Sequence, residues 1–127
     1  MPLTLAVSAA TGYAELAAEL HYDLGDPFAV TLHIGTDCDE PVIWVFAREL
    51  LSAGIAAPAG EGDITVEPAR ENGERMVRIT LATDCVATML APSDTVVEFL
   101  VETYARVPTG TESDHVDFEA EIESLLG

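Results

Sequence analysis

Apolar and polar residues alternate most regularly over residues 16–22 and 28–34. This period of two predicts a pair of β-strands, and the turn-forming residues 23–27 between them predict a hairpin loop. In the register that this loop sets, Leu16 lies opposite Ile34, and every apolar side chain falls on one face of the hairpin. A preceding strand is predicted over residues 3–8.

The dipeptide Asn72-Gly73 predicts a second hairpin, because both residues favour the left-handed backbone of a two-residue turn. This turn fixes the register of the two strands beside it. The predicted pairs are Ile64 with Leu81, Val66 with Ile79, Pro68 with Val77 and, on the other face, Glu67 with Arg78. An exposed ion pair of this last kind contributes about 0 to 1 kcal/mol. A further strand is predicted over residues 85–90.

Between the hairpins, residues 42–46 are apolar at every position, which is typical of a strand covered on both faces. A short helix is predicted to follow over residues 47–53, with Gly54 as its left-handed C-terminal cap. Glycine and proline residues then mark a loop around residues 58–62.

Two further helices are predicted near the C-terminus. The spacing of apolar residues indicates one helix over residues 94–106, with Ser93 as its N-cap, and another over residues 117–126. The stripe expected to be buried along the first of these consists of Val96, Val97, Leu100, Val101 and Tyr104. This order of elements, with strands first and most of the helix late, predicts an α+β fold.

The chain is strongly acidic, with 23 acidic residues, five basic residues and a formal net charge of -18. All five basic residues are arginines, and they do not cluster in the sequence. Nucleic acids and anionic membranes both require clustered positive charge, so neither is predicted as a partner. Hydrophobic residues nevertheless make up 49% of the chain, which predicts a large core and an apolar interface between subunits.

Histidines and cysteines occur without the spacing that a metal or catalytic site needs. In the predicted register His21 and His33 lie near opposite ends of the first hairpin, and His115 falls in a polar loop, so no shared ion is expected. Cys38 and Cys85 each lack a second cysteine nearby and are interpreted as buried or incidentally exposed thiols.

Two other segments carry a superficial resemblance to known ligand loops. The acidic residues 37–40 lack the spacing and the glycine of a calcium loop, and the glycine pair at residues 60–62 lacks the lysine of a phosphate loop. The sequence therefore predicts no catalytic residue, no cofactor and no metal.

The best candidates for contact with a protein partner are Trp44, Arg48 and Glu49. Tryptophan and arginine are enriched where binding energy is concentrated. The alternatives are that Trp44 belongs to the core and that Arg48 is solvated or paired within the chain.

Five blocks of the sequence carry a family resemblance, at residues 22–30, 44–51, 60–66, 107–112 and 117–122. In their order and spacing they resemble the SsgA-like family of actinomycete sporulation and cell-division regulators. The resemblance extends from about residue 3 to about residue 126, so residues 1–127 are expected to form a single domain. The chain departs from the family pattern at Thr109, where a proline is usual, and at Glu67, where many relatives carry an aromatic residue.

The resemblance implies a fold similar to that of the Whirly single-stranded-DNA-binding proteins: two antiparallel β-sheets packed with helices, in a homotrimer. It also implies a non-enzymatic regulator that acts in the cytoplasm at division septa. The most similar branch recruits the tubulin-like GTPase FtsZ, together with other SsgA-like proteins and a membrane-associated partner. Such a protein needs no cofactor and no direct insertion into the membrane.

Two other classes of function stay open at this point. One is a single-stranded nucleic-acid-binding module, which the Whirly relatives suggest and which retention of an oligonucleotide at physiological salt would favour. The other is a β domain that binds a small molecule or a metal, for which stabilisation by the ligand would be the indicator.

Overall fold

The computed structural model describes residues 1–9, 12–36, 41–60, 62–82 and 86–115. Over these residues seven β-strands form one sheet, accompanied by two α-helices and a short 3-10 helix. In chain order the elements are β1 (Pro2–Ala9), β2 (Gly12–His21), β3 (Ala29–Ile34), β4 (Val42–Ala47), α1 (Arg48–Ala56), β5 (Ile64–Glu71), β6 (Glu74–Ala82), β7 (Val86–Pro92), α2 (Ser93–Arg106) and the 3-10 helix (Glu112–His115).

The strands follow the order β4-β3-β2-β1-β7-β6-β5, and the pairs are antiparallel. The α+β class is thus confirmed, but the two sheets implied by the family resemblance are a single sheet. The reason lies in β1, which pairs with β2 along its whole length and with β7 from Ala6 to Ala9. This double pairing joins the two hairpins into one surface.

The second hairpin has the predicted register throughout, including Val66 opposite Ile79. Asn72 and Gly73 both have positive φ angles, of 52° and 81°, as the two-residue turn requires. On the other face Arg78 donates a hydrogen bond of 2.8 Å to Glu67. The predicted strand near residue 85 is also present, as β7 between β1 and β6.

The first hairpin has the predicted faces but the wrong register. Ala18, instead of Leu16, lies opposite Ile34. Pairing between β2 and β3 begins only at His21 opposite Thr31, because the first two residues of β3, Ala29 and Val30, pair with β4 and not with β2. In the connection, the Tyr22 hydroxyl donates to the Pro27 carbonyl at 2.7 Å. The register shift is two residues, so each side chain stays on its predicted face.

Both helices pack on one face of the sheet. The buried residues of α2 are Ser93, Val96, Phe99, Leu100 and Thr103. The predicted stripe is therefore rotated: Val97 and Val101 are 40% and 62% exposed. Residues spaced by three and four along the helix face β6 and β7, and this spacing leaves the two valines on the solvent side.

Two predicted helix caps are wrong. Ser93 is the first residue of α2 and is buried, and it makes no capping hydrogen bond because Pro92 occupies the N-cap position. Gly54 lies inside α1, which continues to Ala56. It is buried because α1 packs closely on β5 at this point: a Cβ atom at position 54 would overlap the side chain of Val66 and lie 2.9 Å from its carbonyl oxygen.

The strand β4 lies at the edge of the sheet, and it is not covered on both faces as predicted. Phe46 is buried, whereas Ile43 and Val45 on the opposite face are 55% and 58% exposed. The helix predicted over residues 117–126, the acidic residues 37–40 and both cysteines lie outside the described residues.

We expect Gly54→Ala to lower the free energy of unfolding by about 2 kcal/mol, the cost of inserting a methyl group into a packed interior. Helix propensity alone would give the opposite sign, a gain of about 1 kcal/mol. Urea denaturation followed by circular dichroism measures the change. The control is Ala53→Gly at the neighbouring exposed position, which loses about 1 kcal/mol through propensity only. A Gly54→Ala variant as stable as the parent would contradict the close packing of α1 on Val66.

Candidate interaction surface

Arg48, predicted as a partner contact, lies inside the molecule and is 2% exposed. It is the first residue of α1, yet its guanidinium group reaches the C-terminal end of α2. One nitrogen, Nη1, donates to the carbonyl oxygens of Thr103 at 3.2 Å and Val107 at 2.8 Å. These carbonyls carry the partial negative charge of the helix end, so Arg48 caps α2 from a distance in sequence.

The second guanidinium nitrogen, Nη2, forms an ion pair of 2.9 Å with Glu112 Oε1. Two aromatic rings complete the surroundings: the guanidinium carbon is 4.1 Å from the ring centre of Tyr104 and 5.3 Å from that of Tyr22. We call Arg48, Tyr22, Tyr104 and Glu112 the Arg48 cluster. It connects the end of β2, the start of α1, the end of α2 and the 3-10 helix.

The pKa values of Tyr22 and Glu112, two members of the cluster, are shifted in opposite directions. Burial raises the pKa of the Tyr22 hydroxyl, although the nearby Arg48 charge acts against this shift. The pKa of Glu112 is lowered, first by a hydrogen bond from its own backbone amide, and further by those from the Arg48 side chain and the Gly110 amide, against partial desolvation. Glu112 is therefore held as a carboxylate.

The other two predicted contact residues lie on either side of Arg48. Trp44 is half-buried on β4, opposite Leu32, and Glu49 is exposed in the first turn of α1. Contact of a partner with Trp44 and Glu49 stays a prediction. Arg48 could affect such a contact only through the elements that it holds, since its own surface is covered.

Three exposed apolar side chains beside these residues belong to β4. Val42, Ile43 and Val45 are 53%, 55% and 58% exposed, and we call them the β4 surface. Among the described residues, their strand pairs with β3 alone and lies at the edge of the sheet. Backbone groups at such an edge can pair with a further strand.

The predicted separation of His21 and His33 is wrong. The two-residue register shift brings their rings to 4.3 Å between centres, on the face of the sheet away from the helices. Glu19 Oε1 lies 3.4 Å from His21 Nε2. Within the described ranges, however, no three histidine, cysteine or acidic side chains are grouped so that they could hold a metal ion.

The remaining arginines are placed differently from one another. Arg78 is paired with Glu67, Arg106 ends α2, and Arg70 and Arg75 lie directly opposite each other in the second hairpin. No helix in the described part of the chain is long and apolar enough to cross a membrane.

A comparison of the sequence with known protein families gives a match. The chain matches the family model described as Streptomyces sporulation and cell division protein, SsgA, over residues 16–112. The chain belongs to the SsgA family. This match includes Tyr22, Arg48, Tyr104 and Glu112, all members of the Arg48 cluster.

Individual relatives place the chain on the SsgB branch of the SsgA-like family. The sporulation-specific cell division protein SsgB of Thermobifida fusca is 46% identical, over 87% of this chain and 81% of its own length. SsgB of Streptomyces coelicolor is 42% identical, over 86% and 80%, and SsgB of Frankia casuarinae is 41% identical, over 87% and 78%. The relatives bear names of cell-division proteins, and they support a role in sporulation cell division.

Solved structures of the family confirm the fold. One comes from a study of SsgB mutations that correlate to longitudinal cell division during sporulation of Streptomyces coelicolor. It matches with a TM-score of 0.84 and 38% identity, over 91% of this chain and 92% of that one. The crystal structure of an SsgA-like sporulation-specific cell division protein from Thermobifida fusca matches with a TM-score of 0.83 and 37% identity, over 98% and 92%.

Sequence reasoning missed the Arg48 cluster because its members are far apart in the chain. Arg48 and Glu112 are separated by 64 positions, and no local periodicity connects them. The available signal was an arginine inside the largely apolar run of residues 42–51, since a charged residue in such a run is buried only with a partner.

We expect Arg48→Met to lower the free energy of unfolding by about 3 kcal/mol, because it leaves the Thr103 and Val107 carbonyls and Glu112 without their donor. Arg48→Lys keeps the charge but loses the planar fork, and should cost about 1.5 kcal/mol. Urea denaturation measures both. Arg75→Met, at an exposed arginine, is the control and should change stability by about 0.5 kcal/mol or less. Equal effects at positions 48 and 75 would contradict the cluster.

The lowered pKa of Glu112 predicts an acid dependence of stability. Because the pKa of Glu112 in the folded state lies below its ordinary value of 4.5, the charged form stabilises the fold above that value, and this stabilisation is lost as pH falls through the folded-state pKa. The parent should therefore be more stable than Glu112→Gln at pH 7, and this difference in stability should narrow as the pH falls below about 4.3, the pKa of a glutamic acid in short peptides. Urea midpoints from pH 7 to pH 3 test this, with Glu49→Gln as the control. A gap that stays constant to pH 3 would be the contrary result.

Proposed function

We propose that this chain positions or recruits the septation machinery during sporulation-specific cell division, with FtsZ as its partner. It acts through protein–protein contacts, as a homotrimer in the cytoplasm at division septa. The family resemblance supports the homotrimer, the partner and the location. The observation that carries the mode of action is the β4 surface, an apolar strand edge on an otherwise acidic molecule.

An exposed apolar edge strand promotes aggregation unless a binding partner covers it. Natural sheets usually protect their edges with charged residues, proline or a covering loop. From Val42 to Ala47 the edge strand contains no charged residue and no proline. At the edge where no described strand pairs, the backbone groups of β4 could bind an extended segment of a partner, while Ile43 and Val45 offer apolar contacts on one face.

The charge of the chain defines what kind of surface can approach this edge. With a net charge of -18, it repels acidic proteins and nucleic acids and favours surfaces of basic or mixed charge. Glu49, exposed beside β4, places part of that negative charge at the rim. We therefore assign the contact to β4, Trp44 and Glu49, with the Arg48 cluster fixing the start of α1 behind them.

The test is a pull-down of purified FtsZ by Val45→Lys, with the oligomeric mass measured alongside. We expect FtsZ retention to fall at least about tenfold, because a desolvated lysine at the contact costs more than the roughly 1.4 kcal/mol that a tenfold change represents. The circular dichroism spectrum should be unchanged, since Val45 contributes nothing to the core.

The matched control is Val101→Lys, which introduces the same charge at a similarly exposed valine on α2 and should leave FtsZ retention at the parental level. Undiminished retention by Val45→Lys would refute the assignment of β4 to the partner. Loss of the trimer with full retention of FtsZ would reassign the β4 surface to the contact between subunits.

A further inference from the structure

A groove beside the second hairpin brings together two arginines that have no partner among the described residues. Arg70 of β5 and Arg75 of β6 lie directly opposite each other, and both line this groove of about 590 Å³. The ion pairs and side-chain hydrogen bonds of the described chain involve neither of them. Like charges placed opposite each other in a hairpin are destabilising, so the arrangement favours a negatively charged ligand between them.

The register of the hairpin holds the two arginine side chains close together. Glu71 and Glu74 form the pair next to the two-residue turn. Arg70 and Arg75 are then a non-hydrogen-bonded pair, the type in which opposed side chains stand nearest, with Cα atoms about 4.5 Å apart. Because side chains alternate between faces, the carboxylates of Glu71 and Glu74 point to the other side of the sheet.

Ser93 adds a hydroxyl group to the same groove. The residue is 9% exposed and lines the groove. Its hydroxyl group has no hydrogen-bond partner among the described residues, yet no fully buried side-chain oxygen there lacks a partner. The Ser93 oxygen therefore keeps access to the groove. Ser93 is also the first residue of the 14-residue helix α2. The first amide groups of a helix have no hydrogen-bond partner within it and carry partial positive charge.

We propose that this groove binds a single phosphoryl group, held by Arg70, Arg75 and Ser93. A carboxylate has two oxygens, which one guanidinium fork can satisfy. Two forks, a hydroxyl and a helix N-terminus match the three free oxygens and the higher charge of a phosphate monoester. The chemistry fits two sources, a phosphorylated side chain of a partner protein or a free phosphorylated metabolite.

The charges that oppose this site limit what it can take. Asp94, exposed in the first turn of α2, stands next to Ser93, and the net charge of the chain is -18. Both repel long polyanions more strongly than one compact phosphoryl group. The site is therefore specific for a single monoester and does not bind a nucleic-acid backbone.

The experiment is a titration of the full chain with inorganic phosphate, followed by amide chemical shifts, with sodium chloride keeping the ionic strength constant. The shifts should be confined to the amides around Arg70, Arg75 and Ser93. In Arg70→Gln/Arg75→Gln the apparent affinity should fall at least about tenfold, the effect of losing charge-assisted hydrogen bonds. Arg106→Gln, which removes a positive charge at the other end of α2, should behave like the parent.

A phosphoserine peptide and O-phosphoserine distinguish the two sources of the phosphoryl group, and acetate tests whether a carboxylate binds as well as a phosphate. A phosphoserine peptide that binds more tightly than O-phosphoserine assigns the site to a protein partner, whereas equal binding assigns it to a metabolite. Acetate should produce no comparable shifts. The proposal is overturned if phosphate produces no local shifts, if acetate matches it, or if the double glutamine variant binds as the parent does. The thermal midpoint of that variant should not fall, because a repulsive pair has been removed.

Discussion

The structure depends on one buried charge, the guanidinium group of Arg48. Removing such a group from water costs several kcal/mol unless its donors all find partners. Here the partners come from the end of α2, from Glu112 and from the rings of Tyr22 and Tyr104. These segments are distant in the chain, so the charge is tolerated only when all of them have reached their places. The desolvation cost of the Arg48 guanidinium is therefore offset only in the arrangement that brings α2, Glu112 and both tyrosine rings around it.

The position of the helices around Arg48 also determines which surfaces of the sheet are exposed. By holding α1 against the end of α2, the Arg48 cluster keeps both helices on one face of the sheet, and within the described ranges no strand pairs with the outer edge of β4. The apolar run of residues 42–46 is then buried on one side, through Phe46, and exposed on the other, through Ile43 and Val45. An entirely apolar sequence is typical of a strand covered on both faces, yet one face of β4 is exposed. The proposed contact with a partner would cover that exposed face.

Local chemistry predicted those parts of the fold that depend on neighbouring residues. The Asn72-Gly73 turn determined its hairpin completely, because a two-residue loop allows one register. The first hairpin was predicted on the correct faces but two residues out of register, since Ala29 and Val30 pair with β4 and not with β2. Gly54 and Arg48 were interpreted from their positions in the sequence, whereas their environments are made by Val66 and Glu112, which no local pattern connects to them.

The positions of the few positive charges limit which ligands the protein can bind, because fold alone does not determine what a protein binds. Of the five arginines, Arg48 is enclosed and Arg78 is neutralised by Glu67. Only Arg70 and Arg75 are brought together at the surface, and two charges cannot neutralise the many phosphates that a nucleic acid presents. The same two charges suffice for one compact anion. An acidic chain can therefore combine an apolar edge for a protein partner with a separate, small site of opposite charge.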